Sequence, residues 1–388
     1  MRDAVVVQAI RTPIGRRNGV LSGVHPVDLS AAVLTALVER CGVEPVAVDD
    51  VLWGCVSQAG EQTSNIARSA VLAAGWPESV PGVTIDRQCG SSQQALAFAA
   101  AGLVSGQYDI VVAGGVESMS RVPLGSSAGG FDPFGNAVQA RYAEALAAAG
   151  TPTFNQGVGA ELIAARWGQS REQLDEFALE SHSRAATAAD SGAFDDEIVS
   201  VTCPDGRCVS ADEGIRRDTT LERLASLRTP FRSDGVVTAG SASQISDGAA
   251  ALLMTTSEIA ARHGWEPLAR VHTSVVVGSD PVTMLTGPIP ATQRLLQRAG
   301  VALADIDAYE VNEAFAPVPL AWLAETGGDP ERLNPRGGAI ALGHPLGASG
   351  ARLATTLLHH LRQTGGRTGL QTMCEGGGQA NATLFTRP

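Results

Sequence analysis

The most constraining feature of this chain is an internal repeat. Three kinds of segment occur twice in the same order: an acidic turn leading into a strand, a reactive residue opening an alanine-rich helix, and a strand running into glycines. The pairs are residues 49–54 and 305–310, Cys89 and His344, and residues 109–115 and 369–374. Cys89 follows Asp50 by 39 residues (89 − 50) and His344 follows Ile306 by 38 (344 − 306). The 388-residue chain is therefore predicted to contain two copies of one folding unit.

The order of strands and helices predicts the fold class. Strands that alternate with helices form βαβ units, so we expect an α/β fold with a mostly parallel sheet buried on both faces and ligands at the carboxyl ends of its strands. Residues 118–246 break this rhythm and are interpreted as an inserted lid. The predicted domains are an N-terminal half of residues 1–117 plus 247–267, the lid at 118–246, and a C-terminal half at 268–388.

Composition excludes several classes of function. The formal net charge is −12 and aromatic residues make up 4% of the chain, which argues against nucleic acid as a partner. All 28 basic residues are arginines, and a chain without lysine provides neither a lysine Schiff base, including the anchor for pyridoxal phosphate, nor a P-loop. Catalysis must therefore depend on other side chains.

Cysteine usage and apolar runs indicate the environment of the chain. The six cysteines show no disulfide framework, and Cys203 and Cys208 flank an Asp-Gly turn that predicts a hairpin rather than a metal site. Residues 1–7 are typical of a short strand rather than a signal peptide, and no apolar run reaches about 18 residues. We expect a cytoplasmic protein with reduced thiols, no metal and no membrane partner.

Two cysteines and one histidine lie in glycine-flanked turns. Glycine lets the backbone around Cys89, Cys374 and His344 approach a substrate closely. A helix N-terminus and a nearby histidine can lower the pKa of a thiol from roughly 8.5, which makes it a better nucleophile. The three turns are therefore predicted to form one site. By contrast, His359 and His360, near the end of an alanine- and leucine-rich helix, are interpreted as surface residues.

Four motifs in the same order along the chain carry a resemblance to a known family. They are Cys89-Gly-Ser-Ser, Asn312-Glu-Ala-Phe, the segment 338–347 with the sequence GAIALGHPLG, and Cys374-Glu-Gly-Gly-Gly. Over essentially its whole length the chain resembles the thiolases. The resemblance implies a five-layered core built from two duplicated halves with an inserted lid, and a homodimer or homotetramer. It also implies cleavage of 3-ketoacyl-CoA by coenzyme A, or the reverse condensation, with coenzyme A as a substrate and no permanently bound cofactor.

The resemblance also implies a role for each motif residue. Cys89 matches the nucleophile, and His344 matches the residue that activates it and helps to hold the thioester oxygen. Asn312 matches the residue that orients a water in that oxyanion hole. Cys374 matches the acid/base that exchanges a proton with the acetyl methyl group. A second oxyanion hole is expected from the N–H groups of Cys89 and Gly376.

Three further residues are expected to contact coenzyme A or the acyl chain. Ser243 lies in a segment that resembles the pantetheine loop of the family, and Arg216 lies where a basic residue meets the adenosine end. Gln156 stands where the family usually has a methionine beside the acyl pocket. A polar group at that position fits poorly with a plain short-chain pocket.

The direction of the reaction and the substrate are predicted from departures near these motifs. Gln156, with Glu375 after Cys374 and Gln244 after Ser243, favours a degradative 3-ketoacyl-CoA thiolase acting on fatty acyl or bulky, steroid-type chains. The alternative is a biosynthetic enzyme that condenses two acetyl-CoA molecules. A protein that only carries acyl-CoA or sterol is disfavoured because all four catalytic-type residues are present, and Cys374 argues against a decarboxylating ketoacyl synthase.

Overall fold

The computed structural model describes residues 2–387, which contain twelve strands and twelve α-helices. The strands are β1 Val5–Arg11, β2 Gly15–Arg16, β3 Asp50–Gly54, β4 Val83–Ile85, β5 Ile110–Ser118, β6 Val201–Thr202, β7 Cys208–Val209, β8 Ser246–Thr255, β9 Ala269–Gly278, β10 Ala308–Val311, β11 Thr368–Glu375 and β12 Gln379–Thr386. The helices are α1 Pro26–Cys41, α2 Ile66–Ala73, α3 Ser91–Ser105, α4 Gly135–Ala148, α5 Gln156–Arg166, α6 Arg171–Asp190, α7 Leu221–Ala225, α8 Ser257–His263, α9 Pro288–Ala299, α10 Pro317–Thr326, α11 Ala339–Leu342 and α12 Leu346–Thr364.

The strand order repeats in the two halves of the chain. The main sheet runs β10-β11-β12-β9-β1-β8-β5-β3-β4, and its halves meet where β1 pairs with β9 through two residue pairs, Val5 with Arg270 and Val6 with Ala269. Outward from this junction, β1, β8, β5 and β3 match β9, β12, β11 and β10. Each copy places a buried helix, α3 or α12, between its two parallel strands in sequence. The sheet therefore shows the duplication that the sequence repeat predicts.

The prediction of a mostly parallel sheet was wrong. Only the β3–β4, β3–β5 and β10–β11 pairs of the main sheet are parallel, and the other pairs are antiparallel. The βαβ crossovers are present, but β12 returns directly from β11 through a tight turn at Gly377 and Gly378, whose φ angles are 80° and 76°. In the first half β8 returns antiparallel to β5 after the insertion. In both halves the strand that follows the βαβ unit thus runs antiparallel to the last strand of that unit, after a tight turn in the second half and after the insertion in the first.

Helices cover both faces of each half of the sheet. In β8, Leu253 packs in a cluster with α1 and α2, whereas its neighbour Leu252 packs in a cluster with α3 and α12. Helices α9 and α10 pack on β9–β12 in a third cluster, which includes Leu295 and Trp322. The layers are therefore α1 with α2, the first half of the sheet, α3 with α12, the second half, and α9 with α10. This arrangement agrees with the five-layered core that the resemblance implies.

The central helices approach each other closely because they are rich in small residues. A Cβ placed on Gly350 of α12 would overlap the backbone of Gln93 in α3, so only glycine fits at this crossing.

The interpretation of His359 as a surface residue was wrong. His359 is 1% exposed and its Nε2 lies 2.9 Å from the Ala9 carbonyl oxygen, because α12 is covered by both halves of the sheet. His360, the next residue, is partly exposed.

The insertion lies between β5, which ends at Ser118, and β8, which begins at Ser246. It contains α4 to α7 and the hairpin β6–β7, in which the Cys203 N–H donates to the Arg207 carbonyl over 2.8 Å. The hairpin at the two cysteines is as predicted. No helix within residues 2–387 is both long enough and apolar enough to cross a membrane.

Candidate active site

The reactive turns lie at one end of the sheet, where β3, β10 and β11 end and α3 and α12 begin. Gly54, the last residue of β3, brings these starts together. A Cβ at Gly54 would overlap the backbone of Ser92 in α3 and of Gly347 in α12. The Ser92 hydroxyl also accepts the Ala351 backbone N–H at 2.9 Å. The two helix starts are thereby fixed against each other through small residues and one hydrogen bond.

Cys89 lies in a strained turn just before α3. The preceding residue, Gln88, has a φ of 48°, in the left-handed region that non-glycine residues rarely adopt, at a cost of about 1 to 3 kcal/mol. The Asp86 carboxylate helps to hold this conformation by accepting the Gln88 N–H at 2.7 Å. A Cβ at Gly376 would lie 2.8 Å from Oε1 of Gln88, so a larger residue there would displace the Gln88 side chain. The strain places Cys89, which is 4% exposed, at the helix start.

The surroundings of the Cys89 thiol oppose its ionisation. Burial raises the pKa of Cys89 to about 12, and the charge of Glu375 acts in the same direction. Hydrogen bonds from the Gly376 backbone N–H and the Gln156 side chain act in the opposite direction. The sequence led us to expect a lowered pKa, and this expectation was wrong for the resting site because the helix N-terminus does not outweigh burial. At neutral pH Cys89 is a thiol.

Cys374 lies beside Cys89 near the end of β11. It has no exposed surface, and it packs in an apolar cluster that includes Phe315 and Ile340. Burial raises the pKa of Cys374 well above its ordinary value, with further contributions from the charges of Cys89 and Glu375. Cys374 is therefore also a thiol at rest. The structure thus brings together the two cysteines that the sequence selected.

The His344 ring is held in one tautomer. Its Nδ1 lies 2.6 Å from the Ser349 hydroxyl oxygen, and that hydroxyl donates its own hydrogen to the Pro345 carbonyl at 2.8 Å. Nδ1 must therefore carry the proton and donate to Ser349. Nε2 then has the free lone pair and faces the Asn312 amide nitrogen at 3.4 Å. Burial and the charge of Arg352 lower the pKa of His344 to about 3, so the ring is neutral.

The turn that carries His344 is anchored at several points. The His344 backbone N–H lies 3.1 Å from the Gln244 carbonyl and 3.2 Å from the Ser246 hydroxyl. Asn312, which follows β10, donates its backbone N–H to Thr372 of β11 at 3.0 Å. The buried Asn312 Oδ1 has no hydrogen-bond partner within residues 2–387. Within the same described residues, Cys89 and His344 make no direct hydrogen bond with each other.

Comparison with known proteins identifies the family. The sequence model of the thiolase N-terminal domain matches residues 4–258, and that of the thiolase C-terminal domain matches residues 265–387. The chain belongs to the thiolase family.

Its relatives cover essentially the whole chain. The steroid 3-ketoacyl-CoA thiolase of Mycobacterium tuberculosis is 50% identical over 388 residues, which are 100% of this chain and 95% of that protein. The β-ketoadipyl-CoA thiolase of Escherichia coli is 45% identical over 400 residues, with 100% of both chains covered. The crystal structure of the Bacillus anthracis acetyl-CoA acetyltransferase matches with a TM-score of 0.90 at 39% identity, covering 100% of this chain and 99% of that one. These findings confirm the predictions of a thiolase fold and an acyltransferase, and the names of the first two relatives support the degradative prediction.

The thiolase motif residues are framed by buried carboxylates that the sequence analysis missed. Glu313 accepts hydrogen bonds from the Ser181 hydroxyl at 2.7 Å, the Asn334 side chain at 2.9 Å and the Ile340 N–H at 3.1 Å. It thereby joins α6 of the insertion to the segment that leads to His344. The only signal in the sequence was an acidic residue inside an otherwise apolar motif.

Glu117 at the end of β5 is the second of these carboxylates. It accepts the N–H groups of Val56 and Ser57 at 3.0 Å, the Gln62 side chain at 2.8 Å and the Gly347 N–H at 2.9 Å. Its four donors come from three separate segments of the thiolase core. It therefore fixes the start of α12, three residues after His344.

The residues predicted to bind coenzyme A lie at different distances from this site. Ser243 is half-buried, and its N–H donates to the Ala314 carbonyl at 3.0 Å, next to the Asn312 motif. Gln244 donates its side-chain N–H to the Ile340 carbonyl at 2.8 Å. Arg216 is exposed, its backbone N–H donates to His182 Nδ1 at 3.1 Å, and its side chain makes no hydrogen bond within residues 2–387. The structure thus brings Ser243 close to the thiolase motifs, and it leaves Arg216 on the surface of the insertion.

Proposed function

We propose that this protein is a degradative 3-ketoacyl-CoA thiolase in which Cys89 is the nucleophile and Cys374 the proton donor. The observation that carries the proposal is the pair of adjacent buried thiols, Cys89 and Cys374, with the Gly376 N–H directed at the first and a neutral imidazole at the same strand ends. A thioester exchange needs a group that both attacks and leaves readily, which a thiolate does.

In the first half-reaction Cys89 gives its proton to Nε2 of His344 and its sulfur attacks C3 of the 3-ketoacyl-CoA. The C2–C3 bond then breaks, so that the shortened acyl group stays on Cys89 and C2 bears the electron pair. Cys374 supplies the proton that converts this carbanion into acetyl-CoA. A thiol whose pKa is raised is loaded with its proton at neutral pH, which suits a donor in this direction.

In the second half-reaction coenzyme A takes up the acyl group. Cys374, now a thiolate, removes the proton of the coenzyme A thiol, and the coenzyme A sulfur attacks the carbonyl carbon of acyl-Cys89. Collapse of the tetrahedral intermediate releases the Cys89 sulfur, which recovers its proton from His344. Both cysteines thus return to the thiol state that the resting site favours.

Two sets of hydrogen-bond donors stabilise the oxygen atoms that become negatively charged during the two half-reactions. The backbone N–H groups of Cys89 and Gly376 face the thioester oxygen of one step, at the start of α3 and in a glycine turn. Nε2 of His344 and a water positioned by Asn312 serve the other. The unpartnered Oδ1 of Asn312 supports this role, because a buried oxygen without a partner is suited to accept a hydrogen from such a water.

We propose a bulky or polar acyl chain as the natural substrate. Gln156 contacts the Cys89 thiol, so a hydrogen-bonding side chain borders the reacting carbon where the family usually has methionine. A relative at 50% identity is named for steroid 3-ketoacyl-CoA and one at 45% for β-ketoadipyl-CoA. The biosynthetic alternative draws support from the acetyl-CoA acetyltransferase at 39% identity.

A substrate panel distinguishes these alternatives. Purified protein is mixed with coenzyme A and with acetoacetyl-CoA, 3-ketoadipyl-CoA, a long linear 3-ketoacyl-CoA or a steroid side-chain 3-ketoacyl-CoA, and loss of the magnesium-enolate absorbance is followed. We expect the highest kcat/KM with a bulky or polar chain. Turnover of acetoacetyl-CoA alone would support the biosynthetic alternative, and binding without turnover of any substrate would support a carrier.

We also propose that the insertion at residues 118–246 acts as a lid that carries coenzyme A, with Ser243 at the pantetheine and Arg216 at the adenosine end. Ser243 is supported by its contact with the Asn312 motif, and Arg216 by its exposed position on the insertion. A homodimer or homotetramer is supported by exposed apolar side chains at the β4 edge of the sheet and nearby, namely Leu72, Val83 and Phe98. Light scattering on purified protein measures the assembly.

A further inference from the structure

Glu375 directly follows Cys374 and belongs to no step of the proposed reaction. It is the last residue of β11 and has no exposed surface. Because side chains alternate along a strand, Glu375 points to the face opposite Cys374, against the start of α3. A Cβ placed on Gly90 would overlap Oε1 of Glu375. The carboxylate therefore touches the helix start that follows Cys89, and the lack of a side chain at Gly90 leaves room for it.

The hydrogen bonding of Glu375 is incomplete. With the Asn381 amide oriented to satisfy its neighbours, its nitrogen donates to Oε1 at 2.9 Å, and its oxygen accepts the Gln94 N–H at 3.3 Å. Oε2 has no partner within residues 2–387. A buried carboxylate that serves only to join segments would be expected to use both oxygens.

Glu117 provides the comparison, because it occupies the equivalent position in the other half. Asp50 pairs with Val111, six residues before Glu117 (117 − 111), and Ala308 pairs with Gly369, six residues before Glu375 (375 − 369). Each carboxylate thus faces the start of a central helix, Glu117 that of α12 and Glu375 that of α3. Glu117 accepts four hydrogen bonds, one of them from the start of α12, whereas the hydrogen bonding of Glu375 within residues 2–387 comes from Asn381 alone. Glu375 therefore occupies the position equivalent to Glu117 but does not join several segments as Glu117 does.

We propose that Glu375 is a positioning residue for the nucleophile: when it is ionised, its negative charge at the start of α3 disfavours the thiolate form of Cys89 beyond the effect of burial. The inference rests on the proposed function only in taking Cys89 as the nucleophile. Its physical basis is the competition of two negative charges for one positive helix end at a buried site, where solvent screens charges weakly.

The ionisation of Glu375 itself makes the effect depend on pH. The ionisable groups around it are Cys89 and Cys374 on either side and Asp86 and Arg87 before the nucleophile turn. Burial raises the pKa of Glu375 to about 8, Arg87 lowers it, and Asp86 raises it. Below pH 8 Glu375 is mainly uncharged and does not oppose a thiolate. Above pH 8 its charge does oppose one.

The test is the rate of Cys89 alkylation by iodoacetamide between pH 6 and 9.5, without substrate, in full-length protein. The rate is read from the peptide that contains Cys89, and the exposed Cys208 serves as an internal reference. In Glu375→Gln we expect the wild-type rate at pH 6 and a rate about threefold to tenfold higher at pH 9. Glu375→Asp, which keeps the charge, should stay close to wild type. A ratio of the alkylation rate of Glu375→Gln to that of wild type that stays constant between pH 6 and 9.5 would overturn the proposal.

The unmodified protein gives a second test that does not depend on folding of a variant. The alkylation rate of an isolated thiol far below its pKa rises tenfold per pH unit. For Cys89 we expect a smaller rise between about pH 8 and 9, because Glu375 ionises in the same interval. A full tenfold rise there contradicts the proposal. Transfer of an acetyl group from acetyl-CoA to Cys89 is measured separately, so failure of the proposed function and failure of this inference can be told apart.

Discussion

The two helix starts of the core occupy equivalent places in the duplicated fold and differ in how firmly they are held. The turn of His344 is fixed by Gln244, Ser246 and Ser349, and Glu117 binds the helix that follows it. The turn of Cys89 contains Gln88 in the left-handed conformation, and one oxygen of the neighbouring Glu375 carboxylate has no hydrogen-bond partner among residues 2–387. The second copy of the unit therefore holds the base, His344, rigidly. The first copy holds the nucleophile, Cys89, in a strained turn whose surroundings disfavour ionisation of the thiol.

The largest expected effect is loss of the nucleophile. Cys89→Ala should lower kcat/KM by on the order of 10³-fold or more, because no other thiol at the helix start can take the acyl group. Mass spectrometry should also find no acetyl adduct after incubation with acetyl-CoA. Cys208→Ala, which removes an exposed thiol from the hairpin of the insertion, is the matched control and should keep full activity. Full activity in Cys89→Ala would falsify the assignment.

Removing the base should have the next largest effect. His344→Ala should lower kcat/KM by about 10²- to 10⁴-fold, since the proton of Cys89 then has no neutral imidazole to accept it. Iodoacetamide alkylation of Cys89 near neutral pH should slow in the same variant. His360→Ala, on the partly exposed part of α12, serves as the control. Turnover and alkylation that both remain at wild-type rates would remove His344 from the mechanism.

The different rigidity of the two helix starts can be tested by matched glycine substitutions. A Cβ at Gly347 would overlap backbone atoms of Val116, Cys55 and Gly54, whereas a Cβ at Gly90 would meet only the end of the Glu375 side chain. We therefore expect Gly347→Ala to lower the free energy of unfolding by about 1 to 3 kcal/mol more than Gly90→Ala does. Urea denaturation of both variants measures this difference. Equal losses would show that the two starts are equally tolerant.

The smallest expected effect concerns the insertion, which contributes Gln156 to the nucleophile side of the site. Gln156→Met should change the ratio of kcat/KM between bulky and short linear 3-ketoacyl-CoA substrates by about tenfold, because one altered pocket group is typically worth about 1 to 3 kcal/mol. The substrate panel described above gives this ratio. Gln139→Met, on an exposed helix of the same insertion, is the control. A ratio equal to that of wild type means that Gln156 does not face the acyl group.

Local patterns predicted the parts of the fold and site that depend on local chemistry. The glycine turns of Cys89 and Cys374 and the strand-helix-strand repeats have signals within a few residues of each other. The antiparallel course of β8 and β12 does not, because a strand direction is set by the turn and the neighbours it joins. His359 was interpreted as a surface residue because the sequence of one helix does not reveal which other elements pack against it. In the structure both faces of α12 are covered.

Electrostatics of the site were also outside the reach of the sequence. A helix start and a histidine suggested a lowered pKa for Cys89, but the pKa depends on burial, which is a property of the assembled layers. The only sequence signal for the supporting carboxylates Glu117 and Glu313 was one acidic residue in an otherwise apolar segment. Their partners come from segments that are distant in the sequence, such as Ser181 and Glu313 or Gly347 and Glu117.

The division of labour between the two cysteines is the central claim, and proton exchange in Cys374→Ala tests it most directly. Folded variant and wild type are each given acetyl-CoA in heavy water, and the acetyl group on Cys89 and the deuterium in the methyl group are both measured by mass spectrometry. Wild type should load the acetyl group and slowly wash deuterium into the methyl group. The variant should load the acetyl group and incorporate no deuterium, because loading needs only Cys89, His344 and the oxyanion holes. Exchange at the wild-type rate in folded Cys374→Ala would contradict the account.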